Sequence, residues 1–118
     1  MQSNGTRNEI GIELDREKIE REGEYNYDDL VAYLDNAFVK QGFTSNHCDN
    51  CLCYYNDESN NFFQQMNCYL NIVKQSAIYN NLKSWQLIEF ENNDYVNPIM
   101  VENVLETIAA HGGNPLFV

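Results

Sequence analysis

The chain lacks long apolar runs and has few basic residues. Its 118 residues include 7 Lys and Arg against 18 Asp and Glu, which gives a formal net charge of -11. No run approaches the roughly 20 apolar residues that a membrane-spanning helix needs. The N-terminus, MQSNGTRNEIG, has no hydrophobic region of the kind that a signal peptide carries. We therefore expect a cytoplasmic protein.

The scarcity of Lys and Arg also restricts the partners. Direct binding to nucleic acid depends on basic side chains that neutralise phosphates, and anionic membrane surfaces attract basic proteins for the same reason. The bases are scattered along the chain, at Arg7, Arg16, Lys18, Arg21, Lys40, Lys74 and Lys83. The expected partner is therefore itself basic, such as a nucleic-acid enzyme or a cationic toxin.

No catalytic motif is recognisable. There is no glycine-rich phosphate loop, and nothing around the four cysteines matches a known nucleophile signature. A catalytic cysteine would need His47 or His111 beside it in space, and no Asp or Asn is obviously placed to orient either ring. We expect a protein that is not an enzyme and that has no cofactor.

The composition suits a single domain over residues 1–118. Apolar residues make up 43% of the chain and aromatic residues 13%, which is enough to build one modest core. Residues 1–7 are expected to be a flexible polar tail, and residues 113–118 a C-terminal tail. The last three residues, Leu116 to Val118, would either dock on the core or contact another chain.

The first third of the chain predicts a strand and a helix. Alternating apolar and acidic residues over 8–15 are typical of a half-buried strand. Residues 16–22 predict a short helical turn or loop that Gly23 ends. Asn26 is a good N-cap for a helix over 26–42. The residues expected to be buried in these elements are Ile10, Ile12, Leu14, Leu30, Leu34 and Phe38.

The rest of the chain predicts two more strands and two more helices. The strands are expected over 51–56 and 85–90. One helix would start at Ser59 or Asn60, and the other at Asn97-Pro98, where a cap precedes proline. The apolar residues at helical spacing are Phe62, Phe63, Met66, Leu70 and Val73, then Val101, Val104, Leu105 and Ile108. A polar loop is expected over 44–50. The whole is a small α+β domain with three strands in one sheet against three helices.

One cluster has the residue types of a metal site. His47, Cys48, Cys51 and Cys53 offer an imidazole and thiolates, which are the ligands that tetrahedral zinc prefers. A complete structural site usually has a second, similarly spaced pair, and here only Cys68 follows. In an extended segment Cys53 would point away from Cys48. These residues are therefore weak metal candidates, and the pattern favours small buried thiols that stay reduced in the cytoplasm.

The negative charge is concentrated in one segment. Residues 9–35 contain ten acids and three bases, so they supply seven of the eleven net negative charges. Such a run is often only a solvated surface. Carboxylates held at fixed spacing on regular elements could instead mimic phosphates and compete for a basic groove. The candidate partner-binding residues are Glu13, Asp15, Glu17, Glu20, Glu24, Asp28, Asp29 and Asp35, with Tyr25 and Tyr27.

Aromatic side chains could anchor a partner within this acidic field. Interface contacts are enriched in Tyr and Trp, because these residues bury a large area at a small cost in conformational entropy. The aromatic residues expected to be exposed for this purpose are Tyr25, Tyr27, Tyr54, Tyr55 and Trp85.

In size, acidity and lack of a catalytic motif, the chain resembles the small anti-defence proteins of phages and mobile elements, notably anti-CRISPR proteins. Its opening, EIGIELDREKIEREGEYNYDDLVAYLDNAF, is similar to the short accessory proteins that such elements carry. The resemblance implies inhibition of a CRISPR effector nuclease in the host cytoplasm, by occupying its nucleic-acid channel or by blocking a conformational step. Two alternatives stay open: an immunity protein that neutralises a cationic nuclease toxin, and a small zinc-binding or thiol protein.

Overall fold

The structure is a computed structural model that describes residues 6–58, 61–91 and 93–115. It shows a small single-domain α+β fold, as predicted, with one antiparallel sheet. The strands are β1 Arg7–Leu14, β2 Thr44–Ser45, β3 Cys51–Asn56, β4 Leu82–Phe90 and β5 Met100–Asn103. The helices are α1 Arg16–Glu22, α2 Tyr27–Val39, α3 Phe62–Val73, α4 Ser76–Tyr79 and α5 Val104–Ala110.

The count of three strands and three helices was wrong, since the described residues contain five of each. The elements that the sequence did not predict are short. β2 has two residues and lies inside the expected loop over 44–50, where it pairs with Tyr54 and Tyr55. β5 has four residues, and α4 is a single turn. Elements of this length are too short to show a clear hydrophobic period.

Strand β1 is the centre of the sheet, whose order is β2-β3-β1-β4-β5. Its alternation is confirmed, because Ile10, Ile12 and Leu14 are all buried. In the register, Ile12 lies between Leu52 of β3 and Trp85 of β4, so all three project to the same face. This face packs against the helices and forms the core.

Helix α2 has the predicted start and the predicted buried stripe. The side chain of Asn26 accepts a hydrogen bond from the backbone N–H of Asp29 at 3.1 Å, which satisfies one of the free N–H groups of the first turn. Leu30, Leu34 and Phe38 are buried, and the Phe38 ring lies 4.4 Å from that of Tyr54. The helix ends at Val39, two residues before the predicted end, for which Gly42 was expected just past the last helical residue.

Helix α1 is the short helical turn expected over 16–22. Asp15 caps it by accepting a hydrogen bond from the N–H of Lys18 at 3.1 Å. Gly23 ends it in the left-handed conformation, with a φ of 67°, which glycine adopts at little cost. Ile19 is the buried residue of this helix, and it anchors α1 to the core.

The apolar stripe predicted for α3 is exposed at its start and half-buried at its end, where Leu70 and Val73 lie. Phe62 is 64% exposed, Phe63 77% and Met66 41%, whereas Cys68 and Ile72 are buried. The helix carries apolar residues on two stripes, and the stripe that contains Cys68 and Ile72 faces the core. Asn61 is the N-cap residue of α3, but its side chain makes no capping hydrogen bond. The predicted caps, Ser59 and Asn60, lie outside the described residues.

The predicted helix start at Asn97-Pro98 was wrong. The carboxylate of Asp94 accepts hydrogen bonds from the N–H groups of Val96 and Asn97, both at 3.1 Å, so the chain turns there. It then pairs with β4 as β5, and α5 begins six residues later, where Asn103 is its cap. Val101, predicted to be buried, is 54% exposed. Val104 and Ile108 are buried as predicted.

The last residue of the predicted tail belongs to the sheet. Arg7 opens β1, within the expected tail over 1–7, and its guanidinium pairs with the carboxylate of Asp57. The same guanidinium lies between the rings of Tyr55 and Tyr95, at 4.1 and 4.0 Å from their centroids. Leu116 to Val118, expected to dock or to contact another chain, lie outside the described residues.

Candidate partner-binding surface

The exposed acids follow one stretch of chain, from α1 through the α1–α2 connection into the first turn of α2. We call this stretch the acidic surface, and its residues are Glu17, Glu20, Glu22, Glu24, Tyr25, Asp28 and Asp29. All of them are exposed. Five of the six acids were predicted as partner-binding residues, and Glu22 was missed, although it belongs to the same run of charge.

The bases in this region are already occupied. Arg16 pairs with Glu20 at 3.0 Å, and its guanidinium lies 4.4 Å from the Tyr27 ring centroid. Arg21 lies 3.9 Å from Glu17, and Lys18 donates to the backbone carbonyl of Asn80. Exposed ion pairs of this kind contribute little to stability. They do, however, leave four carboxylates without an ion pair among the described residues: Glu22, Glu24, Asp28 and Asp29.

Tyr25 is the aromatic residue of the acidic surface. Its side chain is 39% exposed, and the adjacent Glu24 carboxylate raises the pKa of its hydroxyl. An exposed phenol among unpaired carboxylates can stack on a guanidinium or accept a hydrogen bond from a basic side chain. Tyr27 is half-buried beneath Arg16, so only part of its ring can meet a partner.

Three predicted acids serve the fold instead. Asp15 caps α1, and Glu13 is half-buried with its carboxylate 3.7 Å from the ammonium of Lys83. Asp35 accepts a hydrogen bond from the Tyr54 hydroxyl at 2.7 Å and lies 2.8 Å from Nε2 of His47. These carboxylates already have internal partners, so they contribute less than expected to an acidic face.

The predicted aromatic anchors were partly wrong. Tyr54 and Trp85 are fully buried in the core, because both lie on the helix-covered face of the sheet. The Trp85 ring packs 5.0 Å from that of Tyr69 on α3. Tyr55 is on the opposite face, where it is half-buried under the guanidinium of Arg7.

The cysteines lie on a tight hairpin. Cys48 and Cys51 face each other across a two-residue turn and exchange backbone hydrogen bonds of 3.0 and 2.9 Å. Asp49 adopts a φ of 54° in that turn, a conformation that Asp tolerates better than most residues. The Sγ atoms of Cys51 and Cys53 are 3.4 Å apart. The turn brings all three side chains to one face, so the expectation that Cys53 points away from Cys48 was wrong.

His47 is held by its neighbours. Nδ1 accepts a hydrogen bond from the backbone N–H of Cys53 at 3.1 Å, so the ring proton of the neutral imidazole is on Nε2 and points to Asp35. Both ring nitrogens are therefore engaged, which removes His47 as a ready metal ligand or general base. Within residues 6–58, 61–91 and 93–115, no group of three His, Cys, Asp or Glu side chains is arranged to hold a metal ion.

The fourth thiol and the second histidine lie apart from this hairpin. Cys68 is buried in the core, and burial raises the pKa of its thiol to about 12. His111, at the end of α5, donates from Nδ1 to the carbonyl of Thr107 at 2.8 Å.

No helix in the described part of the chain is long and apolar enough to cross a membrane.

Several exposed apolar side chains were not predicted as a surface at all. They lie at the start of α3 and between β4 and α5: Phe62, Phe63, Met66, Val96, Ile99, Met100 and Val101. The signal in the sequence was the double apolar stripe of α3, which has more apolar residues than one core-facing stripe requires.

A comparison with protein-family models finds no match for the chain, and a comparison with curated proteins finds none either.

Proposed function

We propose that the protein is an acidic inhibitor of a basic nucleic-acid-processing enzyme, of the anti-CRISPR type. It would block the nucleic-acid channel of a CRISPR effector nuclease by mimicking negative charge. The observation that carries this proposal is the group of exposed carboxylates without an ion pair among the described residues, Glu22, Glu24, Asp28 and Asp29.

The position of these acids suits recognition by charge. Three of the four sit on helices and Glu24 lies in the short connection between them, so their spacing is set by backbone that is hydrogen-bonded at both ends, at Gly23 and at Asn26. A charged surface of this kind accelerates association with a partner of opposite sign, and the effect weakens as salt screens it. Tyr25 adds an aromatic contact among the carboxylates.

The test is a cleavage assay with purified, guide-loaded CRISPR effector nucleases and titrated protein. The informative variant is Glu22→Lys/Glu24→Lys, which reverses two exposed charges. Its control is Glu58→Lys/Glu106→Lys, which reverses two exposed charges elsewhere, so both variants have a formal net charge of -7 instead of -11. We expect inhibition by the wild type and by the control, and at least about a tenfold loss of potency in the first variant, which corresponds to about 1.4 kcal/mol.

Two results would contradict this proposal. Equal potency of the two charge-reversal variants would show that net charge, and not the acidic surface, is responsible. Absence of inhibition of every effector tested, together with inhibition of a cationic nuclease toxin, would instead make the chain an immunity protein.

A further inference from the structure

The exposed apolar residues on α3 border a groove that continues onto the sheet. A cavity of about 340 Å³ lies between the start of α3 and strands β4 and β5, and its wall includes Phe62, Gln65, Leu87 and Met100. A second cavity, of about 160 Å³, shares the first three of these residues and extends along α3 to Met66 and Tyr69. We call the two cavities together the α3–β5 groove.

The groove exists because the helices do not cover the whole sheet. Glu102 and Met100 of β5 are paired with Leu87 and Glu89 of β4, so these four side chains lie on the face that packs against the helices. Leu87 contacts the core, whereas Met100 at the sheet edge is exposed. Around Met100, no helix among the described elements covers this face, so apolar surface is exposed there.

The rim of the groove is acidic. Glu89 belongs to its wall and lies on the helix-covered face, as does Glu102. None of the described residues around either cavity is Lys or Arg. Glu102 is near enough to Tyr69 to help raise the pKa of that phenol, after burial and Tyr79. Glu9 also borders the first cavity, but it pairs with Tyr55 and Ile88, so its side chain lies on the opposite face of the sheet, near Arg7.

We propose that the α3–β5 groove binds an amphipathic helical segment of a partner protein, with an apolar face flanked by Lys and Arg. The apolar floor would take side chains at i, i+3 or i+4 and i+7, and the carboxylates would pair with the basic rim. Phe62 and Tyr69 are seven residues apart on α3, so the floor is about 10 Å long, or two helical turns. A second copy of this chain fits less well, because it would bring Glu89 and Glu102 against the same carboxylates.

This inference does not depend on the acidic surface, and one titration distinguishes the two. The probes are two synthetic helical peptides of about 15 residues with identical Leu positions, one with Lys and the other with Glu at its polar positions. Binding to the full chain is measured by calorimetry at about 150 mM salt. The groove variant is Phe62→Ser/Met66→Ser, its control is Val39→Ser on the exposed side of α2, and Glu22→Lys/Glu24→Lys reports on the acidic surface.

We expect the Leu/Lys peptide to bind the wild type and to lose about tenfold or more in affinity for the groove variant, since two apolar contacts are removed. The Val39 control and the acidic-surface variant should bind within about twofold of the wild type. The inference is overturned if the Leu/Lys peptide does not bind, if the Leu/Glu peptide binds as tightly, or if affinity falls only in the acidic-surface variant. Self-association of the wild type that the groove variant abolishes would also overturn it.

Discussion

At the scale of single residues, the carboxylate of Asp35 joins α2 to the cysteine hairpin. It accepts a hydrogen bond from the hydroxyl of the buried Tyr54 and another from the ring of His47. Burial, and then the hydrogen bond to Asp35, raise the pKa of Tyr54, so this phenol stays neutral and needs an acceptor. Asp35 therefore has two internal hydrogen-bond partners, although its side chain is still 39% exposed.

Replacing Asp35 by Ala should destabilise the protein by about 1–3 kcal/mol, because the buried Tyr54 hydroxyl is left without its acceptor. Urea denaturation at neutral pH measures this. Glu24→Ala, which removes an exposed carboxylate, is the control and should stay within about 0.5 kcal/mol of the wild type. In a Tyr54→Phe background the cost of removing Asp35 should shrink. An equal cost in both backgrounds would contradict the role given to this hydrogen bond.

The four thiols should differ sharply in reactivity. Burial is the main cause that raises the pKa of Cys53 and of Cys68, each to about 12, whereas Cys48 and Cys51 are exposed. A raised pKa leaves less thiolate at a given pH, and the thiolate is the form that reacts. At pH 8 a thiol of pKa 12 is about 0.01% ionised, against about 24% for an ordinary thiol of pKa 8.5.

Timed alkylation with iodoacetamide, followed by peptide mass analysis, tests this order. We expect Cys48 and Cys51 to be modified first, and Cys53 and Cys68 to follow only at higher pH or after unfolding. Unfolding in urea provides the control, since all four should then react at similar rates. Early modification of Cys68 in the folded protein would contradict its burial.

Among the elements, α5 starts at a different residue in the structure from the one that the sequence predicts. Asn103 caps this helix by accepting a hydrogen bond from the N–H of Glu106 at 3.1 Å. Asn103→Ala should therefore cost about 1 kcal/mol of stability. Asn97→Ala, at the start that the sequence suggested, removes one exposed hydrogen bond to Asp94 and should cost less. The opposite order in chemical denaturation would contradict the observed boundary.

Elements with a strong local signal were predictable, and those that depend on neighbours were not. β1, β3 and α2 follow from alternation, from a cap and from a regular apolar stripe, all of which are properties of the segment itself. The buried side of α3 depends on which of its two apolar stripes faces the core, and β5 depends on pairing with β4. Neither feature can be predicted from the local sequence alone. For this reason the Asn97-Pro98 pattern predicted a helix start where the structure has a turn.

At the scale of the whole molecule, the sequence located the charged surface but not its limits. The concentration of acids before residue 36 correctly marked α1 and the start of α2 as an exposed acidic region. It could not reveal that Asp15 and Asp35 are used by the fold, because hydrogen-bond partners such as Tyr54 are distant in sequence. The α3–β5 groove was missed for the same reason, since it forms between the start of α3, at Phe62, and side chains of later strands that are distant from it in sequence, such as Leu87 and Met100.

The two surfaces make separate demands on a partner. The acidic surface selects for positive charge, and its contribution should fall steeply with salt. The α3–β5 groove needs apolar side chains, and its contribution should persist when salt screens the charges. A complex that uses both would therefore weaken with salt but not dissociate completely.

Capture from a nuclease-bearing host lysate at about 50 and 500 mM salt, with bound proteins identified by mass, tests whether the acidic surface binds a basic partner. The immobilised proteins are the wild type, Glu22→Lys/Glu24→Lys and the charge-matched Glu58→Lys/Glu106→Lys. We predict that the wild type and the matched control retain a basic nucleic-acid-processing enzyme at low salt, that high salt weakens this retention, and that the acidic-surface variant loses it. Retention of the same proteins by all three at both salts would contradict the claim that the acidic surface binds a basic partner.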